Sequence, residues 1–266
     1  MNLDFDQNGA PTAIVSAMAQ EMAALLALCD APQTLRLGAR DFHLATLHGQ
    51  PVVLVLCGIG KVAAATTAVL LAERFGVQRL VFTGVAGGLG EGVRVGDVVL
   101  ADSLLHHDMD ASPLFPRYEV PLTGRSYFDT DAALNGALAL AVQAVLARPA
   151  HHGAEAVALG VSEPVLHRGL IVSGDLFVAT AAQSQALQTA LPAALAVEME
   201  GAALAQVCHD LGLPCAVLRT ISDRADDSAH VDFLRFIDGV AAQASAAIIG
   251  QWLADEAALR RPASAA

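Results

Sequence analysis

Three acidic positions stand where an apolar run ends, and so at the edge of a sheet and not on a solvated helix face. They are Glu21 after 13–17, the Glu198/Glu200 pair closing 194–199, and Asp223 after 215–221. Carboxyl groups held in different surroundings can divide the work of general acid, general base and electrostatic partner to a developing cation. In Glu198-Met199-Glu200 the two-residue period of an extended strand sends both glutamates to one face and Met199 to the other. Arg219 lies four residues before Asp223, inside the apolar run, where a guanidinium without a partner is costly. Each group alone fits a structural ion pair as well as a site. Acids converging from several strand ends on one buried arginine make a site.

Other candidates carry less. Gly58-Ile59-Gly60-Lys61-Val62-Ala63 fits the spacing of a dinucleotide fingerprint, but the next strand ends without an acid for a ribose, and a Walker A motif fails because position 55 is valine. The glycine-dense stretch 83–90 reads as a turn straight after a strand, where backbone can approach a ligand closely. The 106–110 run, His-His-Asp-Met-Asp, reads as a solvated polar loop and not as a metal site, because no second cluster lies at ligand-like spacing. Cys29, Cys57, Cys208 and Cys215 form no C-x-x-C pair and read as buried free thiols. Lys61, the only lysine, is the single candidate for amine chemistry.

These residues need a sheet to hold them. Apolar runs at 13–17, 52–57, 80–83, 97–101, 169–173, 194–199 and 215–221 alternate with alanine-rich helical stretches at 61–75, 131–147, 181–190, 201–211 and 231–255. That order predicts a central sheet with helices on both sides. The 42–47 run, a Gly-Gln turn and 52–57 read as a hairpin, so the sheet is expected to be mixed. Segments 106–130 and 151–168 exceed ordinary loop lengths and are candidates for lids, interfaces or insertions. With no internal repeat or linker, one domain is expected over 12–257, with disordered ends at 1–11 and 258–266.

Composition narrows the function classes. In 266 residues, 55% hydrophobic, Lys+Arg of 15 against Asp+Glu of 27 gives a net charge of -12, which argues against nucleic acid as a partner. No apolar run approaches the roughly 20 residues of a membrane span. The polar, acidic amino terminus lacks the pattern of a secretory signal, and with free thiols the expected compartment is the cytoplasm.

Seven motifs in order, SAMAQEM (16–22), CGIGKVAAA (57–65), TGVAGGLG (83–90), GDVV (96–99), VSGDLFV (172–178), AVEMEG (196–201) and LRTISDRAD (218–226), make the chain resemble the 5′-methylthioadenosine/S-adenosylhomocysteine nucleosidases. These belong to the purine and uridine phosphorylase superfamily, and the likeness spans roughly 13–240. It implies an α/β fold: a single three-layer α/β/α domain with a mixed, twisted sheet, paired as a homodimer. It implies hydrolysis of the N-glycosidic bond of methylthioadenosine or S-adenosylhomocysteine, without metal or cofactor. Asp223 matches the acid that protonates adenine N7, Glu200 the carboxylate beside the ribose hydroxyls, and Glu21 the base that activates water. Arg219 matches the arginine beside ribose and water, while Phe177 stacks on the base and Phe177–Val178 backbone groups meet its edge. Met18, Ile59, Met199 and Phe233 match apolar walls; Val85, Ala86 and Gly87 of the glycine-dense stretch, Val197, Glu198 and Ser222 complete the implied binding set. Residues in 107–121, near Leu114, Phe115 and Pro121, fall where a partner subunit closes the alkylthio pocket.

The chain departs from the family at Val85, where a serine is common, and this favours water over phosphate as the nucleophile. Alternatives that remain open are a phosphate-dependent phosphorylase, a futalosine-type hydrolase, and a sensor that binds nucleoside without turnover.

Overall fold

The computed structural model describes residues 9–148, 156, 159, 161, 163–225 and 233–260. In chain order its first half holds β1 (Thr12–Ser16), α1 (Ala19–Leu26), β2 (Asp30–Leu37), β3 (Arg40–Leu47), β4 (Gln50–Leu56), α2 (Lys61–Phe75), β5 (Arg79–Gly88), β6 (Val98–His106) and β7 (Tyr127–Asp129). Then follow α3 (Ala132–Leu146), β8 (Leu166–Ser173), α4 (Ala181–Ala190), β9 (Ala194–Glu198), α5 (Gly201–Leu211), β10 (Cys215–Asp223), α6 (Phe233–Phe236), a π-helical turn (Ile237–Ala241) and α7 (Ala242–Arg260).

The sheet is mixed. β5 lies at its centre, parallel to β1 on one side and to β10 on the other. Beyond β1 come β4, parallel, and then the antiparallel hairpin partners β3 and β2. On the other side β10 pairs antiparallel with β6, β6 and β8 pair in parallel, and so do β8 and β9. β9 returns to β5 through Gly87↔Val197 and Gly88↔Ala196, so this end of the sheet curls until it closes on itself. Closure brings the carboxyl ends of β8 and β9 next to those of β5 and β10.

Strand alternation explains the layers. Ala13, Val15, Val53, Val55, Leu80, Phe82 and Val217 turn to one face, where α2 and α5 cover them with Ala64, Ala68, Leu71, Ala202, Leu204 and Cys208. Ile14, Val52, Leu54, Val81, Ala216 and Leu218 turn to the other, under Leu25 of α1, Leu138 and Val142 of α3, and Ile249 and Trp252 of α7. Consecutive residues of a strand thus feed two cores, which is why the runs read as continuously apolar. The mixed α/β sheet matches the expected class.

Several local expectations need correction. The stretch 83–90 is no immediate turn, because β5 runs on to Gly88 and its last glycines pair with β9. The 106–110 run is only in part a solvated loop: β6 extends through His106, and His106 and His107 are only 3% and 7% exposed, while Asp108 and Asp110 are exposed. His106 Nε2 meets Gln206 Oε1 at 3.1 Å, and its ring packs edge-on to Phe128. The helix expected at 231–255 is interrupted by the π turn and ends at Arg260, so the domain end placed at 257 falls inside α7. The segments 1–8 and 261–266, and most of 149–162, lie outside the described residues.

Candidate active site

At the strand ends lies a cavity of about 230 Å³, below the roughly 300 Å³ at which small-molecule sites usually begin. Its walls come from the ends of six strands. Ala17 and Met18 follow β1, Ile59 follows β4, Gly84, Val85, Ala86 and Gly87 belong to β5, and Leu176, Phe177 and Val178 follow β8. Val197, Glu198, Met199 and Glu200 come from the end of β9, and Arg219, Ser222 and Asp223 from β10.

Arg219 is 1% exposed, and its charge is met on three sides. Nη2 donates to Glu198 Oε2 at 2.6 Å, Nη1 donates to the Leu218 carbonyl at 3.3 Å, and the guanidinium lies 3.9 Å from the centroid of the Phe82 ring. Glu198 is itself saturated: it accepts from the Ser173 hydroxyl, from Gly201 N at 2.8 Å and from Glu200 N at 3.2 Å. The pair is a structural anchor in which opposite charges meet at close range, with only Nε of the guanidinium lacking a hydrogen-bond partner among the described residues.

Glu200 is differently placed. Gly60 N donates to its Oε1 at 2.8 Å. Burial, followed by the negative charge of Glu198, pushes its carboxyl up to about 7, against the opposing pull of Arg219. Asp223 accepts from Ala225 N on Oδ1 at 2.7 Å and from the Ser222 hydroxyl on Oδ2 at 2.8 Å. A register shift against β5 between Ile221 and Asp223 turns both Ser222 and Asp223 into the cavity, a re-aiming that a bulge achieves. Gly87 is required opposite them, since a Cβ there would sit 2.8 Å from Ala225 Cβ and 3.2 Å from Asp223 Oδ1.

Glu21 is not a wall residue. It sits in the first turn of α1, 0% exposed, with Ser16 Oγ donating to Oε2 at 2.7 Å. Burial holds its carboxyl above the usual carboxylate range, opposed by Ser16, Arg219 and Ser245. The contact with the cavity runs through Gly84: a Cβ there would lie 3.0 Å from Arg219 Nη1 and 3.7 Å from Glu21 Oε2.

Of the residues singled out in the sequence, Met18, Ile59, Val85, Ala86, Gly87, Phe177, Val178, Val197, Glu198, Met199, Glu200, Arg219, Ser222 and Asp223 line this one cavity. Phe233 opens α6, and its side chain lies outside the described residues. The strict alternation expected at 198–200 does not hold: β9 stops at Glu198, Glu200 precedes α5, and all three residues face the cavity. Ala17, Gly84 and Leu176 were not singled out, although each is inside a quoted motif; they contribute backbone or bulk and no chemistry-bearing group. Lys61 lies outside the wall, with Nζ 2.6 Å from Asp108 Oδ1. Leu114 of the 107–121 region is 84% exposed and is not a wall residue of this cavity.

A family model described as the phosphorylase superfamily matches residues 11–254. The 5′-methylthioadenosine/S-adenosylhomocysteine nucleosidase of Shewanella baltica is 34% identical over 227 residues, covering 84% of this chain and 88% of that protein. Among solved structures, the nucleosidase of the same name from Neisseria meningitidis, in complex with methylthio-immucillin-A, superposes with a TM-score of 0.82 at 32% identity, over 93% of this chain and 100% of its own. The S. pneumoniae nucleosidase with a transition-state inhibitor gives 0.79 at 35% identity, over 92% and 98%. A futalosine hydrolase of Helicobacter pylori gives 0.78 at 32% identity, over 93% and 98%. With the sheet, the cavity and the acids already in place, the chain belongs to the 5′-methylthioadenosine/S-adenosylhomocysteine nucleosidase family of the phosphorylase superfamily.

Proposed function

We propose that the protein is an N-glycosyl hydrolase that cleaves 5′-methylthioadenosine and/or S-adenosylhomocysteine into adenine and the thioribose. The observation that carries this reading is the joint placement of Asp223, Glu200 and Arg219 on one nucleoside-sized cavity with Glu21 immediately behind Gly84. Adenine is a poor leaving group until N7 is protonated, and Asp223 supplies that proton. Each of its oxygens accepts one bond, Oδ1 from the Ala225 amide and Oδ2 from the Ser222 hydroxyl, and these hold the carboxyl on the cavity wall. As the C–N bond breaks, its electron pair passes to the base and the ribose gains oxocarbenium character. Glu200, beside the sugar hydroxyls, favours that cation more than it favours the ground state. Water seated at the bare Cα of Gly84 is within reach of both Arg219 and Glu21. Its O–H bond breaks, the proton goes to Glu21, and the oxygen bonds the anomeric carbon. Phe177 and the backbone around Val178 hold the base.

Water is favoured over phosphate by charge. Arg219 is the only cation in the described wall and is already paired with Glu198, while Glu200 and Asp223 face the same space. A multiply charged anion would find a single cation there, with its Nη2 already held by Glu198, and no second arginine or lysine in the described wall. Val85 adds an apolar surface where a hydroxyl would have helped such an anion.

Pairing as a homodimer, with the 107–121 region near the partner's site, is part of the same proposal, supported by the exposed Leu114 and Leu122. Four free cysteines suit a reducing compartment such as the cytoplasm. The test is chromatographic detection of free adenine after incubation with methylthioadenosine and, separately, S-adenosylhomocysteine. Release abolished by Asp223→Asn is expected; cleavage of a futalosine-type nucleoside alone would move the assignment to that hydrolase, and release from none would leave a binding protein.

A further inference from the structure

Glu21 is held from behind by a pair of hydroxyls that the cavity never touches. Ser245, in the first turn of α7, donates from Oγ to Glu21 Oε1 at 3.3 Å, and Thr83 of β5 donates to that same Oγ at 2.8 Å. Glu21 and Thr83 are 0% exposed and Ser245 is 1% exposed. They arrive from three elements, and nothing but folding brings them together. Neither Thr83 nor Ser245 is part of the cavity wall.

A buried hydroxyl offers one donor and two acceptor sites, and its proton turns to suit its neighbours. With Glu21 ionised, the chain runs from Thr83 to Ser245 to Glu21 and ends with a donor on the charge. The oxygen nearer the cavity is Oε2, 3.7 Å from where a Cβ on Gly84 would sit, so a proton taken from water arrives there while Ser245 keeps its bond to Oε1. Oε1 therefore has the same donor before and after the proton arrives, and no heavy atom has to move. An apolar residue at 245 would leave each state short of a partner in a dry interior.

We propose that Ser245, backed by Thr83, is a positioning residue for Glu21: its hydroxyl holds Oε1 from behind and so aims Oε2 at the attacking water. This rests on the hydrolytic reading above. No proton leaves Glu21 along the chain during the step: the bond broken is water O–H, the bond formed is Oε2–H of Glu21, and the Ser245 and Thr83 hydroxyls keep their protons. The charge that faces Glu21 is Arg219 of β10. Of the elements packed against α1, β1 and β4 carry no ionisable residue, Asp238 of the π turn is exposed, and on α7 Asp255, Glu256 and Arg260 lie ten or more residues beyond Ser245.

The experiment is the pH profile of kcat/KM for adenine release in wild type, Ser245→Ala, Ser245→Thr and Thr83→Val. Losing a donor to the ionised form raises the acid limb of Ser245→Ala by about one pH unit and lowers plateau kcat about tenfold, with KM within about threefold. Ser245→Thr keeps the hydroxyl and returns the limb to its wild-type position; Thr83→Val moves it in the same direction by less. An acid limb in Ser245→Ala that coincides with wild type, whatever happens to the melting temperature, overturns the proposal. So does a limb that moves in Ser245→Ala and stays displaced in Ser245→Thr. Carboxyl ¹³C NMR titration of Glu21 in the same proteins reads the shift without turnover. A wild type that releases no adenine therefore counts against the hydrolytic reading, while the titration still judges the positioning role of Ser245.

Discussion

At the scale of single residues, the site works by giving four carboxyl groups four environments. Glu198 is neutralised by Arg219 and anchors; Glu200 and Glu21 are held high by burial; Asp223 sits at the mouth of a bulge with one oxygen on a backbone amide. Asp223→Asn removes the proton donor and keeps the shape, so kcat falls by about three powers of ten or more while binding of a non-hydrolysable methylthioadenosine analogue stays within about tenfold, as single-turnover and calorimetric measurements will read. Glu200 gives a stability prediction. Its folded value of about 7 exceeds the ordinary carboxylate value, so between the two the folded state holds a proton that the unfolded chain has lost. Stability then falls as pH rises across that window, and the whole cost is present above it. Glu200→Gln removes that cost: its melting temperature exceeds wild type by about 5 °C at pH 8 and matches it near pH 4, although turnover is lost. Equal melting temperatures at pH 8 would mean that Glu200 is not held high in the folded protein. Arg219 and Asp223 were legible in the sequence because charge at the end of an apolar run is conspicuous. Ser245 and Thr83 were not, since a serine among alanines in α7 and a threonine inside β5 look like ordinary neighbours until the fold brings them to Glu21.

At the scale of elements, the site depends on where regular structure stops. The bulge near Ser222 and the end of β9 at Glu198 each break a two-residue alternation, and each break turns an acid into the cavity. Such breaks are set by pairing with β5, a partner more than a hundred residues away, so the sequence pattern carried the strands and missed the interruptions. β2, an exposed edge strand containing Pro32, also escaped, because polar residues interrupt its apolar ones and its pairing is one-sided. The eight-residue α1 escaped because no side chain caps its start. β5 supplies a sharper test. Gly84→Ala fills the space between Arg219 and Glu21 with a methyl group and evicts the water proposed to attack there. A drop in kcat of about 100-fold is expected, with analogue affinity within a few-fold; an unchanged kcat would show that water reaches the sugar by another route.

At the scale of the whole molecule, closure of the sheet from β9 back to β5 turns six strand ends toward one point, and a net charge of -12 keeps phosphate-rich ligands away. The class of the sheet was legible from alternating apolar and alanine-rich runs; its closure was not, since only two residue pairs make it. If the 107–121 region completes the alkylthio end of a partner's site, sedimentation will show a dimer, and Leu114→Asp will weaken it and raise KM for methylthioadenosine about tenfold. A monomeric wild type with full activity would refute that arrangement. The central claim, cleavage by water, is tested most directly by the rate of adenine release from methylthioadenosine in phosphate-free buffer and in excess phosphate. Equal rates, with free thioribose as the second product, are predicted; release only with phosphate, accompanied by a thioribose 1-phosphate, would contradict it.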